Sequence, residues 1–339
     1  MGGGGNFYDR DVTSKSYRSS SGATDVSEQA LSSIGVDPMF LPKNRKLTCE
    51  AKNPLVYAFD VTGSMGNLPK IIYDKWPGIV GQIIARKYLP DPQMSLAAVG
   101  DIVSDRAPQQ MADFSALRNL DRYFKRIYIE GNGGGQGVES YEMTAYYYAY
   151  LCDMPNAENP ICLFTGDEGF REELYADDLR EHFGGEHKDT TAKKVFEDLI
   201  KKFKGNVFLI HRYYSTNGSD ESIVSMWRRV LGQSRIIFLP REDDLAIGDI
   251  TLGLYAVVSG ARTVAQYLED MKTRPLNLGE NVKYEPQSPE RIQLVEKALQ
   301  PLKNFIPLKD RAVAKIADTS KDDSGKAPPK KTKSKSWKL

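Results

Sequence analysis

Three histidines, three cysteines and three tryptophans are spread through 339 residues, and neither sign of charge prevails: 46 Lys and Arg stand against 45 Asp and Glu, a formal net of +1. Each scarcity excludes something. Near-neutral charge leaves the chain as a whole without the electrostatic footprint of a nucleic-acid binder. Cys49, Cys152 and Cys162 are odd in number and widely spaced, with no C-x-x-C pair and no zinc spacing, so no disulfide framework or zinc cluster is expected. Cys152 and Cys162 lie among apolar neighbours, which predicts buried free thiols and a reducing, cytoplasmic compartment. No apolar run is long enough to span a bilayer and no leader pattern is visible, so membrane insertion and secretion are not expected. The Met-Gly start has Asn6 where a myristoylation signal has Ser or Thr. Three histidines leave few candidates for acid–base work, and no nucleophile–base pair stands at motif spacing.

What is present is ordinary globular material, 40% hydrophobic and 27% charged, enough for a sizeable core and one or two domains. The charge balance hides an asymmetry. Residues 309–339 carry ten Lys and Arg against four Asp, a net of +6, which leaves −5 for the rest. The composition divides the chain into a flexible Gly/Ser-rich arm at 1–30, an extended lead-in at 31–52, a main domain at 53–260, a helical extension at 261–308 and a basic disordered tail at 309–339. Lys330, Lys331, Lys333, Lys335 and Lys338 could touch an anionic surface or nucleic acid, but a solvated end is the plainer expectation. Trp337 among them has the character of a docking motif for another protein.

The main domain alternates strand and helix signals. Pro54–Asp60 is an apolar run ending in a carboxylate and predicts a buried strand. A helix is expected at about 67–88, kinked or split at Pro77. Strands follow at 94–101, at an edge within 107–114, and at 160–167, 206–211 and 235–239. Helices are expected at 115–127, from Glu139 to about Cys152, and at 191–204, 219–232 and 243–260, whereas 168–190 reads as charged and irregular. This order predicts an α/β fold, a doubly wound, mostly parallel six-stranded sheet with helices on both faces in the Rossmann-like manner. Such a sheet sets its first and fourth strands side by side and binds ligands beyond their carboxyl ends. Asp60 and Asp167 would then meet there. Beyond 262, Ser288-Pro289 reads as a helix start, with Ile292, Val295 and Leu299 on one apolar face.

The turn after the first strand offers Asp60, Thr62 and Ser64 at alternate positions, all oxygen donors suited to a hard divalent cation. Asp60-Val61-Thr62-Gly63-Ser64-Met65 resembles the D-x-[ST]-x-S signature of von Willebrand factor A (vWA) domains, which opens their metal-ion-dependent adhesion site (MIDAS). The run Gly133-Gly134-Gly135-Gln136-Gly137-Val138-Glu139 is similar to the glycine-rich loop of the integrin-beta-like and bacterial variant, and the resemblance makes Glu139 a ligand. Gln136 stands near the place of the Thr in the commoner pattern. Ile161 to Gly169 is similar to the family's T-D-G strand end with one inserted Gly, which gives the acidic role to Asp167 and keeps Glu168 in reserve.

The resemblance covers about 53–260. It implies a metal site of Asp60, Thr62, Ser64, Glu139 and Asp167 for Mg2+, or Mn2+ or Ca2+. Thr62 and Ser64 bind directly, Glu139 joins them, and Asp60 and Asp167 hold waters. The chemistry implied is coordination without catalysis: a partner protein's Asp or Glu takes an open position on the ion. Intracellular members commonly act as adaptors, including for AAA+ ATPases of the MoxR type, so an adaptor that is not an enzyme is the expected function. The alternatives are a structural subunit with a degenerate metal site, and a hydrolase or nucleotide-binding protein using the same face. Asp60-Val61-Thr62 lacks the second Asp of haloacid dehalogenase phosphatases, and the glycine run lacks both G-K-[ST] and G-x-G-x-x-G.

Three other features have ordinary readings. His182 and His187, with Glu181, Glu186 and Asp189, read as a solvated loop on the rim of the metal face rather than a second site. His211 reads as a core residue. Tyr146, Tyr147, Tyr148 and Tyr150 cannot all face one side of a helix, so core packing with one exposed edge is expected.

Overall fold

Every residue of Pro54–Asp60 is buried, because this strand (β1) lies inside a sheet with parallel neighbours on both sides. That placement explains why its sequence is continuously apolar rather than alternating. The computed structural model describes residues 35–130, 137–213, 220–275 and 283–311. The expected arm at 1–30, the glycine run 131–136 and the tail with Trp337 and its lysines lie outside the described residues.

The other strands of the sheet are β2 (Gln93–Val99), β3 (Gln109–Met111), β4 (Ser115–Ala116), β5 (Ile161–Gly166), β6 (Val207–Arg212) and β7 (Ile236–Leu239). Their order is β7-β6-β5-β1-β2-β3, with β4 also pairing β2. The pairings among β7, β6, β5, β1 and β2 are parallel, and β3 and β4 are antiparallel to β2. The sheet is therefore mixed and mostly parallel, with seven strands where six are expected. The seventh comes from 115–127, read as one helix. Ser115 and Ala116 pair with Met94 and Gln93 on the outer edge of β2 instead. A 3-10 turn (Leu117–Asn119) and a single helical turn, α1 (Asp121–Phe124), take up the remainder.

Helices cover both faces. Leu55, Tyr57 and Phe59 enter one core with α2 (Leu68–Arg86) and α7 (Ile247–Val258). Val56 and Ala58 enter the other with α3 (Tyr141–Tyr150), α5 (Ala192–Lys202) and α6 (Asp220–Leu231). The alternation is the strand period of two acting on a strand buried on both faces. Tyr57 stacks on Trp76 of α2 with ring centroids 5.9 Å apart. Pro77 does not split α2, which runs for 19 residues through it. Ile71, Ile72, Trp76, Ile79 and Ile83 around it are buried, and that burial outweighs the roughly 3 kcal/mol cost of an internal proline.

Two further segments depart from expectation. The 168–190 stretch carries α4 (Ala176–Phe183), pinned by buried Leu179 and Phe183, and a two-strand pairing of Glu173–Leu174 with Thr190–Thr191. His187, half-buried in the loop after α4, is held by Tyr146 at 2.9 Å and by the Gly184 carbonyl at 2.6 Å. Beyond 262, α8 (Val264–Lys272) begins in a capping box between Thr263 and Gln266. Ser288 caps α9 (Pro289–Ala298) with Pro at its first position, and Val295 and Leu299 are buried in the first core. Tyr147 and Tyr148 are buried while Tyr150 is exposed. All three cysteines are free and buried. Among the described residues, no helix is long and apolar enough to cross a membrane.

Candidate metal centre

The sheet order places β1 beside β5, so their carboxyl ends open side by side. Phe59 pairs with Thr165, which puts Asp60 and Gly166 level and Asp167 one residue beyond. Chain order reverses between these two strands, and no crossover covers the crevice there. After Asp60 the chain makes a 3-10 turn, Gly63–Met65, and leaves it through Gly66 at φ +54, a left-handed conformation suited to glycine. The turn folds Thr62 and Ser64 back over the strand ends.

The side chains form a connected set. Asp60 Oδ1 accepts from the Thr62 backbone N–H at 2.8 Å and from the Thr62 hydroxyl at 2.6 Å. Asp60 Oδ2 accepts from the Tyr141 hydroxyl at 2.7 Å. Ser64 donates to Asp167 Oδ1 at 2.9 Å. The Thr62 and Ser64 hydroxyl oxygens stand 3.3 Å apart. With the Thr62 hydrogen given to Asp60 and the Ser64 hydrogen given to Asp167, none remains between them. Their lone pairs are left to face a common gap.

Glu139 arrives from the second core. Its N–H donates to the Gly169 carbonyl at 2.9 Å, and Val138 bridges to Gly169, so the segment before α3 is stitched to the loop after Asp167. Trp227 of α6 holds the same loop by donating to the Glu168 carbonyl at 2.9 Å. Glu139 is 1% exposed, and its Oε2 has no hydrogen-bond partner; the same is true of Asp167 Oδ2.

The electrostatics are strained toward negative charge. Burial raises the Asp60 carboxyl above its usual range against the bonds from Thr62 and Tyr141, which lower it. Burial and the Asp60 charge raise Asp167 against the Ser64 bond and the Arg212 charge. Glu139 is raised furthest, first by burial and then by the charges of Asp60, Asp105, Asp101 and Glu168. Burial and the Asp167 charge push Glu168 up to about 7. Cationic relief comes from Arg171, from Arg212 and, through its charge on Asp167, from Arg241. Arg171 pairs with Asp101 and donates to Ser140 Oγ at 3.0 Å. Arg212 stands 3.7 Å from Asp167 Oδ2, within ion-pair range but too far to hydrogen-bond it.

A divalent cation fits this place. Among the described residues, no group of three His, Cys, Asp or Glu is arranged as a ligand set by itself. The donors here are instead two hydroxyls together with carboxylates, all oxygen, which suits a hard ion. Hydroxyl oxygens 3.3 Å apart are close to the spacing of adjacent ligands on a small octahedral ion, about 3 Å for metal–oxygen bonds of ~2.1 Å. Two buried carboxylate oxygens without hydrogen-bond partners are costly, and only Asp167 Oδ2 has a cation, Arg212, in ion-pair range.

Asp60 and Thr62 are thus joined by hydrogen bonds, as are Ser64 and Asp167; the two pairs meet where the hydroxyl oxygens stand 3.3 Å apart, and the Asp60 charge reaches Glu139. Glu168, the reserve, has its backbone carbonyl held by Trp227 of α6, while its charge acts on Asp60 and Glu139. Gln136 lies outside the described residues. Tyr141 and Arg212 were not anticipated. Arg212 had a signal: like Asp60 and Asp167, it is a charged residue at the carboxyl end of a fully buried strand.

Neither a protein-family model nor a curated protein matches the sequence. Among solved structures, the fold is similar to the pilus adhesin SpaC from Lactobacillus rhamnosus GG in its open conformation, with a TM-score of 0.43 and 10% identity over 63% of this chain and 31% of that one. It is also similar to proximal thread matrix protein 1 from the mussel byssus with a zinc-occupied MIDAS motif, with a TM-score of 0.38 and 8% identity over 62% and 49%. The chain spans about a third of the adhesin and about half of the byssus protein. The site rests on the side chains described above and not on these likenesses.

Proposed function

We propose that this chain is a vWA-type, metal-dependent protein-interaction module. The observation that carries the reading is the pair of buried oxygens without hydrogen-bond partners, Glu139 Oε2 and Asp167 Oδ2, beside two hydroxyls whose hydrogens are engaged elsewhere. Thr62, Ser64 and Glu139 would hold the ion, with Asp60 and Asp167 orienting the hydroxyls and bound waters. A divalent cation there supplies a Lewis-acidic point for a carboxylate from another protein. The chain's own part is to fix the donors, through Tyr141 on Asp60 and through the stitching of Glu139 to Gly169.

The partner in this reading is a protein that presents Asp or Glu. An AAA+ ATPase of the MoxR type follows from the family resemblance alone. Mg2+ is the ion assigned, with Mn2+ and Ca2+ as substitutes of the same hard-oxygen class. The role is that of an adaptor and not an enzyme. Three free, buried cysteines support a reducing, cytoplasmic setting. One observation favours a second reading, a structural subunit whose site holds no metal: Arg212 already brings a positive charge to Asp167.

Calorimetric titration of Mg2+ and Mn2+ into the wild type, Asp60→Ala and Ser64→Ala separates the two. Saturable heat in the wild type, lost in both variants, supports the module. Absence of heat and of any thermal shift in the wild type overturns it. With the ion bound, an Asp-containing peptide should bind, and a chelator should release it.

A further inference from the structure

Arg212, the last residue of β6, is 4% exposed and stands within the candidate metal centre. Its Nε and Nη2 form a fork on Asp244, at 2.8 Å to Oδ1 and 2.9 Å to Oδ2. Its Nη1 donates to the Ser64 carbonyl at 3.1 Å and lies 3.7 Å from Asp167 Oδ2. The fork fixes the guanidinium plane, as a bidentate carboxylate pair does. The fixed charge therefore touches both the loop that carries the hydroxyls and the carboxylate that orients Ser64.

Resting on the reading of this site as a metal centre, we infer that Arg212 is a positioning residue that keeps affinity for divalent cations low, because its charge holds Asp167 and opposes an arriving ion. Loss of the guanidinium has two opposed consequences. Lost positioning would weaken binding, and lost repulsion would strengthen it. Repulsion is expected to prevail, since the bonds that order the donors, Ser64 to Asp167 Oδ1 and Thr62 to Asp60, are not made by Arg212. In a buried site, little water screens the interaction of two charges.

The test is calorimetric titration of Mg2+ and Mn2+ at fixed ionic strength into the wild type, R212Q and R212K, using the full chain. R212Q is expected to bind at least about tenfold more tightly. R212K keeps the charge but loses the fork, and should stay within about threefold of the wild type. The sign separates this role from a merely structural one, which would weaken binding in both variants. Unchanged or weaker binding in R212Q overturns the inference. If R212Q fails to fold, R212M removes the charge while keeping much of the side chain's apolar stem, and tighter or weaker binding there decides in the same way. Binding by the wild type without improvement in the variants overturns this inference alone. No binding by any of the proteins overturns the metal reading and this inference with it.

Discussion

Tyr141 packs its hydroxyl directly over the α-carbon of Gly166, so that a β-carbon at position 166 would land on the Tyr141 oxygen. This close approach lets a residue of α3 reach across the end of β5 to Asp60 on β1. Gly166→Ala should therefore displace Tyr141 as well as strain the strand. Overpacking of this kind costs about 1–3 kcal/mol. Thermal denaturation should show the loss, and metal affinity should fall with it. An unchanged melting temperature would mean that Tyr141 has room to move.

Tyr141→Phe isolates the hydrogen bond from the packing. Asp60 Oδ2 would lose its donor while staying buried, a loss of about 1–3 kcal/mol. The bond favours the charged carboxylate, so its removal raises Asp60 further. The deficit should grow as pH rises from 5 to 8, measured by urea denaturation across that range. A deficit independent of pH would show that the hydroxyl does not act on the Asp60 charge.

The carboxylates make the pH dependence of the metal-free protein unusual. Burial pushes Glu142 up to about 8 and, with the Asp167 charge, Glu168 up to about 7, from 4.5 for both. A group raised on folding contributes stability that is complete below the unfolded value and lost as pH climbs through the folded one. The metal-free protein should therefore lose stability between about pH 5 and 8. Mg2+ should restore more of it at pH 8 than at pH 5, because the ion binds the deprotonated donors. Melting temperatures with Mg2+ and with chelator, taken at both ends of that range, check the sign. Equal rescue at pH 5 and pH 8 would contradict it.

The segment 168–190 offers a test far from the charges. Leu179 and Phe183 anchor α4 in the second core. Leu179→Ala should cost about 2–5 kcal/mol, the range for a buried leucine. A solvated loop would lose almost nothing, so chemical denaturation distinguishes the two.

Much of this site was legible because it sits where apolar strands end. Pro54–Asp60 and Ile161–Gly166 announce themselves by hydrophobicity, and the rule that places strand ends at a crevice brings Asp60 to Asp167. What was not legible depends on tertiary pairing. Ser115 and Ala116 carry no strong strand signal and are strand only because β2 has a free edge. The charged face of α4 masked a two-residue anchor, Leu179 and Phe183. Tyr141 read as the start of a tyrosine-rich helix, and only the gap left by Gly166 shows why it is there. Arg212 fitted the strand-end pattern, but a cation was not sought among acidic ligands.

In the proposed site one divalent ion is held by donors from three segments. Electron paramagnetic resonance of free Mn2+ in titrations of the full chain tests it most directly, with Glu139→Gln beside the wild type. One bound Mn2+ per wild-type chain, displaced by excess Mg2+ and lost or much weakened in Glu139→Gln, is the predicted result. A free-ion signal that rises in proportion to added Mn2+ from the first addition would contradict the account.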